Sequence, residues 1–233
     1  MSALWAVVPA AGTGVRMGGD TPKQYLPLAG ACVLERSLNA LLATPGMAAV
    51  SVALHSGDTF AAGLALLQDA RIVRVRGAAE RSGSVLAGLE ALRARAAASD
   101  WVLVHDAARP CVRTEDIAAL VEAVTSTSVG GLLAEAIVDT VKQVDDMRRV
   151  VGTLDRSALW LAQTPQMFRF GELLSALAQA HARGLSVTDE ASAMELAGYP
   201  VQLVPSSREN LKITRPADLA LAEFYLARRE AGV

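Results

Sequence analysis

The stretch Pro9–Tyr25, PAAGTGVRMGGDTPKQY, combines four glycines with two cations, Arg16 and Lys23. It directly follows an apolar run, Leu4–Val8, that is typical of a buried strand. The backbone N–H groups of a glycine-rich turn can surround phosphate oxygens, while a guanidinium offers a planar fork and an ammonium a point charge. The stretch is therefore interpreted as a triphosphate-binding loop, with a surface loop that carries solvated cations as the alternative.

Two other nucleotide-binding patterns agree less well with this loop. A dinucleotide-binding turn needs the spacing G-x-G-x-x-G, but after Gly12 and Gly14 the next glycine is Gly18, one residue late. The second strand of such a fold should also end in an acidic residue, whereas the second predicted strand is followed by His55. A P-loop is excluded, because the lysine of this loop is not preceded by glycine.

Two later stretches add charged residues of the same kind. Asp106 follows the predicted strand Trp101–His105 in VHDAARPCV, and Arg109 comes three residues later. A single carboxylate at a strand end suits Mg²⁺, which takes one or two carboxylates together with phosphate oxygens, but Asp106 could equally cap the following turn. Lys212 lies in a short apolar run, Leu211–Ile213, predicted to be a strand, where its ammonium either faces solvent or meets an anion.

Alternating strands and helices are expected to position these residues over the first part of the chain. The predicted strands are Leu4–Val8, Val50–Leu54, Ile72–Val75, Trp101–His105 and Gly131–Ala136. The predicted helices are Val33–Leu42, Phe60–Gln68, Ser84–Ala97 with Ser82 and Gly83 as candidate caps, and Glu115–Val124. Continuous apolar strands indicate an α/β fold with a doubly wound, mostly parallel, Rossmann-like sheet whose carboxyl edge forms the site.

The alternation ends near residue 137. Residues 137–158 alternate β-branched and polar side chains around a turn at Asp145 and Asp146, which predicts a β-hairpin arm inserted in one domain, 1–233. A lone hairpin is marginally stable in water, so a second copy of the chain is the simplest covering surface, and its own domain the alternative. The elements expected after the arm are helices at Glu172–Arg183 and Glu190–Ala197, strands at Val201–Val204 and Leu211–Ile213, and a final helix that starts near Thr214 and Pro216 and ends at Arg229.

Composition excludes several classes of function. The chain has 233 residues, is 52% hydrophobic and carries a formal net charge of −2, so no basic field indicates nucleic acid or anionic lipid as a partner. No apolar run is long enough for a membrane span or has the form of a signal peptide. Cys32 and Cys111 have no metal-ligand spacing and are interpreted as small buried hydrophobic residues in a reducing cytoplasm.

Taken in order, the motifs resemble one family. PAAGTGVRM and PKQY are similar to the signature of nucleotidyltransferases that load an alcohol or sugar phosphate with a nucleotide. SVLAGL, VHDAARP, the DT of the arm, TPQMF, TDEASA and NLKIT narrow the resemblance to the 2-C-methyl-D-erythritol 4-phosphate cytidylyltransferase family of the non-mevalonate isoprenoid pathway. The resemblance spans nearly the whole chain, and it implies a nucleotidyltransferase-type fold.

The resemblance also implies a reaction and a set of residues. CTP and methylerythritol phosphate would give the CDP-alcohol and pyrophosphate with Mg²⁺, in a homodimer whose arms swap. The residues that it assigns to transition-state charge and to holding the incoming phosphate in line are Arg16, Lys23, Arg156 and Lys212. Those that it assigns to the nucleotide are Ala10, Ala11, Gly12, Gly14, Ser84 and Asp106, the last also as the metal ligand. Those that it assigns to the acceptor are Arg109, Thr140 and Thr188, with Thr140 and Arg156 reaching the neighbouring subunit's substrate.

The chemistry of this reaction agrees with the residues that are present. A phosphate monoester has its second pKa near ~6, so the nucleophile is largely dianionic at neutral pH and needs no general base. The three histidines, His55, His105 and His181, form no evident triad and are interpreted as surface or core residues. Catalysis would come from positioning and charge neutralisation. The family often has an acidic residue near Ala79, and here backbone groups would recognise the base instead.

Three other functions remain open at this point. A cytidylyltransferase for ribitol 5-phosphate would share the nucleotide loops and differ at the arm and in TDEASA. A nucleotide-binding regulator without catalysis would not need cations at the leaving group. A dehydrogenase of the Rossmann type would be stabilised by NAD(H) rather than by CTP, since a ligand that binds only the folded state raises Tm.

Overall fold

The computed structural model describes residues 3–12 and 21–232. Its strands are β1 (Leu4–Ala10), β2 (Pro27–Leu28), β3 (Ala31–Cys32), β4 (Met47–Leu54), β5 (Ile72–Arg76), β6 (Trp101–Val104), β7 (Gly130–Ala136), β8 (Val141–Val144), β9 (Val150–Leu154), β10 (Trp160–Arg169) and β11 (Val201–Pro205). Its α-helices are α1 (Val33–Leu42), α2 (Arg81–Leu92), α3 (Thr114–Thr127), α4 (Phe170–Ala182), α5 (Glu190–Leu196) and α6 (Pro216–Glu230).

The central sheet has seven strands in the order β11-β7-β10-β6-β1-β4-β5. The pairs β1–β4, β1–β6, β4–β5 and β11–β7 are parallel, whereas β10 runs antiparallel to both β6 and β7. The chain leaves β1 toward β4 and β5 on one side and returns to β6 on the other, so the strand order switches between β1 and β6. Ligands of open α/β sheets bind at such a switch point, outside the carboxyl ends of the strands.

Both faces of the sheet are covered by helices. Along β1, Ala6 and Val8 belong to one apolar core with residues of α1 and α3, while Trp5 and Val7 belong to a second core with residues of α2, α4 and α5. This alternation follows from the two-residue period of a strand, which sends successive side chains to opposite faces. The predicted α/β, doubly wound and mostly parallel sheet is therefore confirmed.

The strand β10 was not predicted: it lies between the predicted arm, which ends at residue 158, and the predicted helix that starts at Glu172. It contributes ten residues to the middle of the sheet. Its ladder with β7 is interrupted between Ala162 and Gln166, and Pro165 lies in this interruption. Proline cannot donate a ladder hydrogen bond and is found in sheets at such irregularities. For this reason the sequence pattern around Pro165 does not indicate a strand.

Three other predicted elements also differ. Residues 60–68 form two 3-10 turns, Ala61–Gly63 and Ala65–Gln68, separated by Leu64, whose ψ of 109° is extended. The helix predicted from Ser84 begins at Arg81, so Ser82 and Gly83 lie in its first turn rather than capping it. Residues 211–213 are not a strand, because the main-chain pairing there is a single bond from Ile213 N–H to the Ala108 carbonyl, 2.8 Å long.

The predicted hairpin arm is present as a separate two-stranded sheet formed by β8 and β9. No residue between 137 and 158 is buried, so the arm does not pack against its own domain. Its exposed side chains include Met147, at 73% of full exposure, and Val151, at 61%. Within the described ranges, the search for a helix long and apolar enough to cross a bilayer finds none.

Candidate active site

A cleft of about 390 Å³ opens at the switch point of the sheet. Loops that follow the carboxyl ends of β1, β5 and β6 form its walls, together with the loop that follows β11. The residues that line it and were assigned from the sequence are Ala10, Ala11, Gly12, Lys23, Ser84, Asp106 and Lys212. The structure therefore brings together seven of the predicted site residues, while Gly14 and Arg16 lie outside the described residues.

The glycine at position 12 has no structural reason within the described residues. Its φ is not in the left-handed region, and a Cβ atom built on it would have no heavy atom within 4 Å. Among the described residues, neither the backbone conformation nor packing therefore requires glycine, and Gly12 lines the cleft. Close approach of a ligand to the backbone is one reason for glycine at such a position.

Gln24 joins the two ends of the glycine loop, and its role was missed in the sequence. Its side chain is buried, and Nε2 donates to the carbonyl oxygens of Ala10 and Gly12 at 3.0 and 3.1 Å. It belongs to a 3-10 turn, Lys23–Tyr25, in which the Lys23 ammonium donates to the Ile213 carbonyl at 2.9 Å. The motif PKQY drew attention to this segment. The role of Gln24 was missed because a side chain that bonds main-chain atoms produces no periodic pattern in the sequence.

The loop that follows β5 packs closely against the start of the glycine loop. A Cβ atom on Gly77 would lie 2.4 Å from the Ala11 Cβ, so glycine is required there for close packing. The Ser84 hydroxyl accepts from the Ala78 N–H at 3.0 Å and lies 3.2 Å from the Ala78 carbonyl. Ser84 therefore fixes the loop beside the cleft. Ala79 also lines the cleft.

Asp106 lies at the centre of a cluster of three cations. Its Oδ1 accepts from Arg81 Nε at 2.9 Å, its Oδ2 lies 2.8 Å from the Lys212 ammonium, and Arg109 Nε is 3.7 Å away. Burial alone would raise the pKa of Asp106, but Arg81, Lys212 and Arg109 hold that pKa well below its usual range. Asp106 is thus an ionised carboxylate at the end of β6, and it does not serve only as a turn cap.

Arg81 and Glu190 are further charged residues at the site that sequence reasoning missed. The Arg81 fork meets both carboxylate oxygens of Glu190, with Nη1–Oε1 at 2.7 Å and Nη2–Oε2 at 3.1 Å. Burial would lower the pKa of Arg81, but the Glu190 and Asp106 carboxylates raise it above its usual value. Glu190 lies in the quoted TDEASA motif, but its separation from Arg81 by more than 100 positions conceals their contact.

A second chamber of about 260 Å³ adjoins the cleft. Arg81, Asp106 and Lys212 line both spaces, so the two chambers meet at this ion cluster. Arg109 and Thr188, which the sequence assigned to the acceptor, line only the second chamber. The predicted nucleotide residues Ala10, Ala11, Gly12 and Ser84 therefore lie on one side of a charged junction, and Arg109 and Thr188 lie on the other.

A buried histidine fixes the turn that carries Asp106 and Arg109. His105 Nε2 lies 3.1 Å from the Arg109 carbonyl, and because a carbonyl can only accept, Nε2 carries the proton. Nδ1 then accepts from the Thr164 hydroxyl at 3.0 Å, and that hydroxyl accepts from the Asp106 N–H at 2.9 Å. Burial lowers the pKa of His105 to about 4, which keeps the ring neutral.

The loop that carries Lys212 is attached to the same turn. Arg109 Nη1 donates to the Asn210 carbonyl at 2.6 Å, and the buried Asn210 amide donates to the Thr164 carbonyl at 2.8 Å. These bonds replace the predicted strand as the support of Lys212. Asn210 lies in the quoted NLKIT motif, but its function as a brace could not be inferred without β10.

The two predicted site residues of the arm are not part of either chamber. Thr140 and Arg156 are exposed, and Arg156 Nη1 donates to the Val138 carbonyl. In a single chain they therefore do not meet Lys212 or Asp106 at the cleft.

Comparisons with known proteins agree with this geometry. The model of the IspD family, 2-C-methyl-D-erythritol 4-phosphate cytidylyltransferase, matches residues 4–228. A protein of that name from Hahella chejuensis is 48% identical over 97% of this chain and 93% of its own length. One from Pseudomonas fluorescens is 51% identical over 94% of both chains.

A solved structure shares both the fold and the sequence pattern. The Francisella tularensis 2-C-methyl-D-erythritol 4-phosphate cytidylyltransferase superposes with a TM-score of 0.83 at 38% identity and covers 96% of this chain and 100% of its own. The fold is therefore of the nucleotidyltransferase type that the sequence predicted. The chain belongs to the 2-C-methyl-D-erythritol 4-phosphate cytidylyltransferase family.

Proposed function

We propose that this protein transfers CMP from CTP to 2-C-methyl-D-erythritol 4-phosphate, with release of pyrophosphate, in non-mevalonate isoprenoid precursor synthesis. The observation that carries the proposal is the junction of the two chambers, where Asp106, Arg81 and Lys212 line both spaces. One chamber offers the glycine-loop backbone and Lys23, which suit a triphosphate. The other offers Arg109, which suits a phosphate monoester.

The reaction needs two anions to approach at one phosphorus atom. An oxygen of the acceptor phosphate attacks the α-phosphorus of CTP, and the bond from that phosphorus to the bridging oxygen breaks in line, so that pyrophosphate leaves. Lys212 neutralises charge where the two chambers meet, and Lys23 and Arg16 neutralise the departing pyrophosphate. Because the acceptor phosphate is already ionised, these cations act by positioning and charge rather than by moving a proton.

The proposal includes Mg²⁺, and the chemistry of the donors at Asp106 allows it. Each carboxylate oxygen has about two lone-pair sites, and among the described residues Arg81 and Lys212 each use one, which leaves a site on each oxygen for an ion. In the described part of the chain, no three His, Cys, Asp or Glu side chains are placed to hold a metal ion. Asp106 would therefore hold the ion jointly with phosphate oxygens, and the ion would supply further positive charge at the triphosphate.

The proposal also includes a homodimer formed through the arm, with Thr140 and Arg156 directed at the partner's acceptor. Its support is the exposed apolar surface of the arm, since such patches mark interaction sites. Sedimentation should show a dimer that Val151→Asp weakens, whereas Phe224→Asp on the exposed face of α6 serves as a control and should leave it intact. A monomeric unmodified protein would contradict this part.

The observations disfavour the two alternative functions and also bear on the cellular location. The names of the relatives do not favour a ribitol 5-phosphate enzyme or an inactive regulator. The ion cluster is also more than a nucleotide sensor requires, since Lys212 faces the second chamber as well as the first. A cytoplasmic location is proposed from Cys32 and Cys111, which are both free and buried.

The experiment that tests the function measures pyrophosphate release with CTP and Mg²⁺. Methylerythritol 4-phosphate should support release, and ribitol 5-phosphate should not. Lys212→Met should reduce release, whereas Arg93→Ala, at an exposed residue directly after α2, should not. CTP should raise Tm and NAD(H) should not. Release with ribitol 5-phosphate alone, or with neither acceptor, would show that the proposed function is wrong.

A further inference from the structure

Glu190 is a buried carboxylate for which the reaction has no direct use. Its side chain has 0% exposure and lines neither chamber, so it cannot touch either substrate. A fully buried charge is costly unless it is paired, and its partner here is the Arg81 fork at 2.7 and 3.1 Å. Burial raises the pKa of Glu190, and the contact with Arg81 opposes that rise.

Arg81 divides its donors between two carboxylates. Its two terminal nitrogens meet Glu190, and only Nε meets Asp106, at 2.9 Å. Arg81 is also the first residue of α2, where the helix dipole disfavours a cation. The positive charge of Arg81 thus lies at a position where neither burial nor the helix dipole stabilises it.

We propose that Glu190 is a positioning residue for the transfer reaction: by occupying the Arg81 fork, it limits Arg81 to one hydrogen bond with Asp106 and fixes that carboxylate at the junction of the two chambers. This inference rests on the proposed function, because it concerns the same site. It assigns Glu190 a role that is separate from substrate contact.

The physical reason lies in the shape of the guanidinium. A free fork forms two parallel bonds with a carboxylate, which is the geometry that arginine prefers. Without Glu190, the terminal nitrogens of Arg81 can turn to Asp106 and use the lone pairs that now stay open toward the chambers. They can also bind a substrate phosphate in an unproductive position. Glu190 prevents both arrangements from inside the protein.

The first test compares two buried carboxylates at opposite edges of the sheet, Glu190 near the carboxyl ends and Asp100 at the amino end of β6. Glu190→Gln keeps the size of the side chain but removes its charge, and kcat/KM should fall by roughly 10–100-fold, as for displaced supporting residues. Asp100→Asn is the matched control, because Asp100 is buried before β6, at the end opposite Asp106, and bonds Trp5 Nε1 at 2.9 Å. It should lower Tm but leave kcat/KM unchanged.

The second test separates stability from positioning. Glu190→Leu removes the carboxylate that pairs with both terminal nitrogens of Arg81, and Tm should fall by about 10 °C. The double variant Arg81→Met/Glu190→Leu removes both charges together, so most of the lost Tm should return. Activity should not return with it, because Asp106 then lacks its orienting partner. Recovery of activity together with Tm would mean that the pair is only structural, and would overturn the inference.

A crystal structure of Glu190→Gln gives a readout that does not depend on activity. The Arg81 fork should be found on Asp106, and an Arg81 that keeps its present orientation would overturn the inference. The unmodified protein assayed in parallel tests the proposed function by itself. If it releases no pyrophosphate, the function is wrong and the orientation of Arg81 in the crystal still decides the role of Glu190. If it is active and Glu190→Gln is equally active, only the inference fails.

Discussion

Gln24 offers a sensitive test of how the glycine loop is held. Its amide donates both hydrogen bonds that join Ala10 and Gly12, at 3.0 and 3.1 Å. Gln24→Met removes both bonds, each of which contributes about 1 kcal/mol, and leaves the buried Ala10 carbonyl without this donor at a further cost of about 1 kcal/mol or more. The free energy of unfolding should therefore fall by roughly 3 kcal/mol.

The nearly isosteric Gln24→Glu should be worse than Gln24→Met. It replaces an NH₂ donor by a carboxylate oxygen at the same two carbonyl oxygens, so that attraction becomes repulsion and a charge is buried. The start of the loop should then move away from the 3-10 turn that carries Lys23. A displacement of about 1 Å at a reacting group can cost roughly 10²-fold, so kcat/KM for CTP should fall by a factor of roughly 10–100.

Urea unfolding and pyrophosphate release on the same preparations measure both effects. Gln179→Glu, on an exposed part of α4, makes the same chemical change and should alter neither quantity. Stability and kcat/KM should both decrease in the order unmodified, Gln24→Met, Gln24→Glu. If Gln24→Glu behaves like the unmodified protein, or if Gln24→Met is the more damaging change, the reasoning about these two carbonyl contacts is wrong.

Three further predictions concern single residues. Gly12→Ala should leave Tm unchanged but weaken CTP binding measured by calorimetry. Gly130→Ala should instead lower the free energy of unfolding by about 1–3 kcal/mol, because its Cβ would lie 2.2 Å from the buried ring of Phe168. Equal effects of the two variants on stability would refute the distinction. Lys23→Ala should lower kcat by roughly 10²–10³, or about 3–4 kcal/mol, and near-normal kcat would contradict its role. Burial raises the pKa of Cys32 and of Cys111 to about 11, so alkylation of the native protein should be slow at pH 8 and become faster as pH rises. The free energy of unfolding should fall as pH rises from about 9 toward 11, because the thiols ionise at lower pH in the unfolded chain. Rapid alkylation at pH 8 would contradict this reasoning.

Local patterns predicted much of the fold correctly. Helix α1 has the predicted bounds, Val33–Leu42, because its apolar spacing is read within the segment itself. The strand β1 was found in the same way. Features that depend on distant partners were not predicted. The strand β10 contains Pro165, and only its neighbours β6 and β7 show that it lies in the interior of the sheet.

The same limit applies to the candidate site. Asp106 was found because a charged residue at a strand end stands out in the sequence, and Lys212 because it is a cation inside a short apolar run. Gln24 and Glu190 were not, since one acts on main-chain carbonyls and the other on an arginine 109 positions away. His105 was interpreted as an ordinary core or surface residue, and it is indeed buried. Its bonds to the turn became visible only with β10 in place.

The position of the arm follows from the antiparallel strand. Because β10 is antiparallel to both β6 and β7, β7 runs parallel to β6 and ends at the same edge of the sheet as Asp106. The arm begins there and returns into β10, and its base continues the central ladder through the pair Ala136 and Trp160. One excursion of the chain therefore brings Thr164 to the turn that carries Asp106 and carries the arm out from the carboxyl edge of the sheet. The arm therefore extends from the edge of the sheet at which the cleft opens. This direction supports the proposal that its exposed residues act on the substrate of a second copy.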